Sequence, residues 1–119
     1  IYKRDQVLLI IRSKDFSFVM EEKFAEIFSL LDHYRIKTHL INNSAVDLGL
    51  SVDASWHIDE LIEALEKEDF EVEKREGVCL LTIRNCNDDL YERYVASQET
   101  LVRQINFKTV RVVLPAPTF

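Results

Sequence analysis

The residues best equipped to hold a small polar molecule stand side by side at Asn42, Asn43 and Ser44, inside the stretch IKTHLINNSAVDLGLSVD (residues 36–53). Two amides and a hydroxyl offer donors and acceptors together. The same residue types also build tight turns, because their short side chains bond the neighbouring backbone, and a turn is the simpler account of them. Other chemistry-bearing residues are scattered. His33 and His57 fall at a helix end and a helix start without a partner of ligand type four residues away, so surface histidines are the simpler reading than a metal site. Arg12, and Arg84 beside Asn85, match a phosphatase's arginine–asparagine pair in composition only, and no anion-cradling loop accompanies them. Tyr91 and Tyr94 invite comparison with a base-stacking platform, but they lie on a predicted helix without a basic groove, which favours packing. Trp56 reads as an aromatic packed against a helix cap.

Two strands flank the Asn-Asn-Ser corner. In the second, Val46, Leu48, Leu50 and Val52 alternate with Asp47, Gly49 and Ser51, the pattern of a half-buried strand in an antiparallel sheet. Upstream, residues 6–12 form a buried strand from the unbroken run Val7, Leu8, Leu9, Ile10 and Ile11, and Ile1 to Lys3 reads as a separate short strand. After SKDFSFVMEE, a helix is expected from Phe24, Ile27, Phe28 and Leu31 at i, i+3, i+4 and i+7, ending near Tyr34. A second helix is expected after an N-cap at Ser55, with Ile58, Leu61, Ile62 and Leu65 inward and Asp59, Glu60, Glu63 and Glu66 on a solvated face. Phe70, Val72 and Lys74 alternate with acidic and basic neighbours into a turn at Gly77. The order is βαββαβ.

Beyond Gly77 the pattern restarts: VCLLTIRN (residues 78–85) repeats VLLIIRS (residues 7–13), a weak internal repeat. A long helix is expected from about Asp89 to Gln104, carried by Leu90, Tyr94, Leu101 and Ile105, then a strand at residues 109–114 before Pro115 and Pro117. This second unit has a βαβ core and lacks a closing helix, so it must borrow a strand or be cut short.

At 119 residues, with 47% hydrophobic residues, two glycines and two prolines, the chain can bury one proper core and a small second one. A net charge of −6 speaks against nucleic acid or an anionic membrane as the main partner. Cys79 and Cys86 are too few, and too unlike a metal spacing, for a disulfide scaffold or a zinc site, which fits a reducing cytoplasm. The sequence shows no membrane-spanning run and no signal-peptide pattern, and its opening IYKRDQVLLII reads as a piece of a longer chain.

An α+β, ferredoxin-like arrangement hosts many functions. At the residues, the chain resembles the C-terminal regulatory region of aspartate kinases, which carries tandem ACT domains. The stretches VLLIIRS, FAEIFSLLDHYRI and LINNSAVDLGLSVD are similar to an apolar strand, a helix of the FLARIFSVLARHGI kind and LISTSEVSVSLTLD in that family, with Ile36, Leu40, Ile41, Ser44, Val46, Leu50 and Asp53 in register. The resemblance implies a first ACT domain over residues 6–76 and a partial second one over residues 77–119, completed by the strand in residues 1–5. It implies a regulatory, homodimer-forming region joined to an N-terminal kinase domain that phosphorylates aspartate with ATP and Mg in the biosynthesis of lysine, threonine and methionine. The catalytic half is expected elsewhere, because Gly49 and Gly77 make no phosphate loop and this region needs no cofactor of its own. A free-standing ACT module, acting by ligand binding or dimerisation, is the alternative.

In that family the amino-acid effector lies between the loop after the first strand and the start of the second, where two ACT domains pair across a two-fold axis. The positions here are residues 13–19 and 37–44, which makes Ser13, Asp15, Phe16, Ser17, Thr38, His39, Asn43 and Ser44 the implied effector-binding residues. Two departures stand out. The loop KDFSFVMEEK has none of the glycines that let backbone amides reach a ligand, and His39 replaces the acidic residue before Leu40. Without that carboxylate, weak or absent lysine binding is expected; His39 as an ordinary packed strand residue remains open.

Overall fold

The computed structural model describes residues 2–14, 23–44, 46–96 and 98–115. Its elements are β1 (Tyr2–Ser13), α1 (Phe24–His33), β2 (Thr38–Asn43), β3 (Asp47–Asp53), α2 (Ile58–Lys67), β4 (Phe70–Ile83), α3 (Asp88–Tyr91) continued by a π-helical turn (Glu92–Ala96), β5 (Val102–Asn106) and β6 (Thr109–Pro115). They form two compact units, Val7–Glu76 and Ile1–Gln6 with Gly77–Phe119. The α+β, ferredoxin-like expectation holds.

In the unit Val7–Glu76 the strands lie in the order β2-β3-β1-β4, with α1 and α2 as the two crossover helices. The helices form because their apolar residues recur at helical spacing: Ile27 and Leu31 of α1, and Ile58, Leu61 and Leu65 of α2, are buried with Leu9, Ile11, Leu48, Leu50, Val52 and Phe70. Each such side chain contributes about 1.5–3 kcal/mol by leaving water. Phe24 meets Phe28 edge to face at 6.2 Å along the flank of α1. At its end the chain turns through Arg35 at φ 55, while Ile36 N–H donates to Leu31 O at 2.9 Å and Arg35 N–H to Asp32 O at 3.0 Å. These two bonds satisfy carbonyls of the last turn, and Ile36 joins Leu31 in the core.

Ser55 stands two residues ahead of the N-cap, which is His57. Its Oγ accepts from His57 N–H at 3.2 Å, and α2 begins only at Ile58. Along β3, Leu48, Leu50 and Val52 are buried as the alternation predicts, but Val46 is 54% exposed, and Gly49 and Ser51 on the opposite face are buried as well. Both faces of β3 are therefore withdrawn from water.

In the other unit the strands lie in the order β1-β4-β6-β5. Cys79, Leu81, Val110, Val112 and Leu114 pack with Val95 from the helical segment, and β4 pairs antiparallel with β6 in the register Cys79↔Leu114, Leu81↔Val112, Ile83↔Val110. Asn87 caps this segment, its side-chain oxygen accepting from Leu90 N–H at 2.8 Å.

Three expectations change. The helix expected to reach Gln104 stops at Ala96, where Gln98 turns back to bond the Tyr94 carbonyl at 2.7 Å, and residues 102–106 form β5, a hairpin partner of β6 from Val102↔Val113 to Asn106↔Thr109. Leu90, Tyr94, Leu101 and Ile105 mimic a helical stripe, but a ladder with a buried partner strand outweighs that local pattern. Gly77 ends no strand: it sits inside β4 at φ +67, a conformation that costs glycine little. Likewise the short strand expected at Ile1 to Lys3, of which Ile1 lies outside the described residues, is not separate at Tyr2 and Lys3, since β1 runs on from Tyr2 past Asp5, which is at φ 54. No helix among the described residues is long and apolar enough to cross a membrane.

Candidate functional site

The corner between β2 and β3 is a turn held by Ser44. Its hydroxyl donates to Asp47 Oδ1 at 2.8 Å and accepts the N–H groups of Asp47 at 3.2 Å and Val46 at 3.4 Å, while Ser44 N–H donates to Asp47 O at 2.9 Å. The short serine side chain thus does for the backbone what a turn hydrogen bond would do. Asn43, at the end of β2 opposite Leu48, is exposed. Ser13 ends β1 and is 2% exposed. Next to it, Lys14 N–H donates to Asp69 O at 3.1 Å and Lys14 Nζ to Glu66 O at 3.0 Å, so a cation sits at the carbonyl end of α2, where the helix dipole favours it.

At the other end of β2, the ladder with β3 slips by one residue. Leu40↔Ser51, Ile41↔Leu50, Asn42↔Gly49 and Asn43↔Leu48 keep one register, but Thr38 faces Val52, so His39 is the extra residue of a β-bulge. A bulge re-aims a side chain. Here it brings His39 Nε2 to 2.9 Å from Asp53 Oδ1, with 18% of the histidine side chain exposed and 39% of the aspartate's, while Asp53 N–H donates to Lys37 O at 3.0 Å. The carboxylate that holds the imidazole orients it and favours Nε2–H as the donor. His39 is therefore an engaged polar residue of a partly open sheet edge rather than an apolar packing residue.

The implied effector residues thus fall into two groups within one chain. Ser13 closes β1, and Asn43 and Ser44 lie where β2 turns into β3; Thr38 and His39 stand where β2 starts, roughly 16 Å from Asn43 along five strand residues. Asp15, Phe16 and Ser17, with the rest of the loop to Val19, lie outside the described residues. Asp53 is the partner that sequence reasoning missed: its place closing the β3 alternation, across from the start of β2, was the available signal.

The remaining candidates take ordinary places, with one exception. His33 is exposed in the last turn of α1, its ring 4.8 Å from that of Tyr34, and His57 Nδ1 lies 3.5 Å from Glu60 on the start of α2. No group of three His, Cys, Asp or Glu able to hold a metal occurs among the described residues. Tyr91 packs against the Cys79 cluster and its hydroxyl accepts from Arg103 Nη1, whereas the Tyr94 ring carries Arg93 at 5.6 Å. Arg12 pairs with Glu73 at 3.1 Å. The exception is Trp56, which is 97% exposed and packs no cap. With the helix starting at Ile58, the ring precedes the first buried position and points into water.

No family model and no curated protein sequence matches the chain. Solved structures do. Aspartokinase III of E. coli in complex with aspartate and ADP superimposes with a TM-score of 0.75 at 20% identity, over 96% of this chain and 29% of that one. A putative C-terminal regulatory domain of aspartate kinase from Porphyromonas gingivalis W83 gives 0.76 at 14% identity, over 98% and 84%. The ligand-free regulatory subunit of aspartate kinase from Thermus thermophilus gives 0.68 at 16% identity, over 98% and 86%. The chain spans less than a third of the E. coli enzyme and most of the two separate regulatory chains. With two units of ferredoxin-like strand order matched throughout, the chain has the fold of the aspartokinase regulatory region, a tandem of ACT-type units.

Proposed function

We propose that the chain is the amino-acid-sensing, dimer-forming regulatory region of an aspartate kinase whose whole chain phosphorylates L-aspartate with ATP and Mg, in the cytoplasm, on the route to lysine, threonine and methionine. One observation carries this reading: the paired-unit fold aligns over 96–98% of the chain with aspartokinase regulatory regions. The in-register resemblance of LINNSAVDLGLSVD to that family supports it from the residues. Phosphoryl transfer belongs to the N-terminal kinase domain of the parent, because two isolated glycines supply no phosphate-cradling loop here.

The two separated groups of effector residues fit a site shared by two copies. A free amino acid is too short to bridge roughly 16 Å of strand, but antiparallel apposition of two β2 edges about a two-fold axis sets the start of one β2 beside the end of the other. Thr38 and His39 of one copy then meet Asn43 and Ser44 of its partner, with the loop carrying Asp15, Phe16 and Ser17 contributing after Ser13. An effector acts on the kinase only through its preference for one dimer arrangement over another.

Lysine is the poorest fit among the end products. Position 39 offers an imidazole already bonded to Asp53 at 2.9 Å instead of a free carboxylate for the ε-ammonium. Calorimetry with lysine, threonine and methionine on the unaltered chain and on His39→Asp tests this: lysine binding is expected to be weak or absent in the first and gained in the second. Tight lysine binding to the unaltered chain sinks the argument. A free-standing ACT module is the second reading, favoured by the 84–86% coverage of separate regulatory chains; an aspartate kinase domain in the upstream reading frame would exclude it.

A further inference from the structure

Two aromatic side chains stand almost wholly in water, one in each unit. Trp56, just ahead of α2, is 97% exposed, and Phe107, at the tip of the β5–β6 hairpin, is 98% exposed. Single exposed apolar residues are ordinary, but tryptophan is highly buried on average, and both rings stand on backbone that is held in place. Below Trp56, Ser55 Oγ accepts from His57 N–H at 3.2 Å and Leu61 N–H donates to His57 O at 2.9 Å. Phe107 and Lys108 form the two-residue turn closed by Asn106↔Thr109, where Lys108 O accepts from Cys86 N–H at 2.6 Å. Phe107 takes φ 54, a left-handed conformation that suits glycine or asparagine better than a bulky ring. Neither the turn nor the core accounts for a phenylalanine there.

The surroundings of the two rings carry opposite charge. Helix α2, which starts two residues after Trp56, shows Asp59, Glu60, Glu63 and Glu66, all exposed. Its unit, Val7–Glu76, holds 16 acidic residues against 8 Lys and Arg, and the other unit holds 5 against 7. The hairpin carries Arg103, Lys108 and Arg111 and no carboxylate. Arg103 is engaged with Tyr91, whereas Lys108 and Arg111 are exposed and have no ion-pair partner among the described residues, and neither has Glu63. We propose that the hairpin tip of one copy docks on the Trp56 end of α2 in a second copy, with Phe107 against the indole and Lys108 and Arg111 facing Glu60 and Glu63. An aromatic centre inside a charged rim is the anatomy of a specific protein contact, and a lysine beside an indole adds a cation–π attraction. A second copy is the occupant because one chain supplies both halves. Nucleic acid or an anionic membrane would meet three cations on a chain of net charge −6 and leave Trp56 uncovered. The contact joins unlike surfaces, so it is separate from the apposition of two β2 edges and uses none of the effector residues.

Trp56 is the chain's one tryptophan, so its emission reads the contact. As the concentration of the unaltered chain rises, that emission is expected to shift to the blue together with a rising mass in light scattering. Both changes are expected to fade in about 1 M salt, where the screening length falls to about 3 Å. Phe107→Ser and Lys108→Glu, both at exposed positions, are each expected to raise the concentration of half-maximal shift at least about tenfold. Glu63→Lys is expected to do the same. Mixing it with Lys108→Glu restores association, because the reversed hairpin of one chain then faces the reversed helix of the other, a rescue that a misfolded variant cannot give. Association that leaves the emission of Trp56 unmoved, or that Phe107→Ser and Lys108→Glu leave intact, overturns the proposal. So does a chain that stays monomeric, or a failure of the two charge variants to associate when mixed. Association abolished by Ile41→Lys with Trp56 unmoved assigns the dimer to the β2 edge, so that the regulatory reading stands while this contact falls.

Discussion

Burial separates the two cysteines. Cys79 is 1% exposed within the cluster of the second unit, and burial pushes its thiol up from the ordinary value of 9.0, with the positive charge of Arg4 a smaller pull downward. Only the thiolate reacts. An alkylating agent near pH 8 is therefore expected to modify half-buried Cys86 and to reach Cys79 only when the chain unfolds, which mass spectrometry of native and urea-treated samples can read. Because the folded state holds the Cys79 proton more tightly than the unfolded state, its contribution to stability is fully present below the ordinary thiol value and fades as pH rises through the raised one. Modification of Cys79 before unfolding would contradict this. The pair of His39 with Asp53 is partly open to solvent, so His39→Ala is expected to cost no more than about 1 kcal/mol in a denaturant melt.

Among the elements, α2 buries three residues, Ile58, Leu61 and Leu65, where α1 of equal length buries two. Leu61 and Leu65 are both 0% exposed beside Phe70, so Leu61→Ala is expected to lower stability by about 2–5 kcal/mol. Glu63→Ala on the solvent face should change it by less than about 0.5 kcal/mol, and urea midpoints compare the two. The long strand β4 depends on its glycine for a different reason. A Cβ at Gly77 meets nothing within 4 Å, yet its φ of +67 strains any L side chain, so Gly77→Ala is expected to cost about 1–2 kcal/mol through backbone conformation alone. Gly49 reverses the balance: its Cβ would touch Ile10 Cδ1 at 3.4 Å and Asn42 O at 3.5 Å, ordinary contacts without backbone strain, and alanine there should be better tolerated than at Gly77. Equal losses at the two glycines would show that space, rather than conformation, dominates at both.

At the scale of the molecule, β2 is the outer strand of one unit and β5 of the other. β2 shows Ile41 at 46% and β5 shows Ile105 at 56%, followed by Phe107, 98% exposed at φ 54 on the hairpin tip. Outer strands with apolar side chains are surfaces that proteins cover by pairing. A homodimer is accordingly expected in light scattering, with Ile41→Lys weakening it if β2 forms the shared edge that the effector site requires and Ile105→Lys weakening it if β5 does. A mass that stays monomeric at every concentration removes the shared site and the regulatory reading built on it.

The sequence by itself determined what depends on spacing along one chain. The helical stripes of Phe24 to Leu31 and Ile58 to Leu65, the alternation at Leu48, Leu50 and Val52, and the repeat that restarts after Gly77 were legible because apolar side chains at those intervals have one way to leave water. Tertiary structure decided whatever depends on a partner from elsewhere. Leu101 and Ile105 fit a helix until β6 supplies the ladder that makes residues 102–106 a strand, and the tip Asn106-Phe107-Lys108-Thr109 has no glycine to announce a hairpin. Ser44 offers a ligand a hydroxyl in the sequence and spends it on Asp47 in the fold. His39 gains Asp53 only because one extra residue bulges from β2, a shift in pairing that no local pattern records.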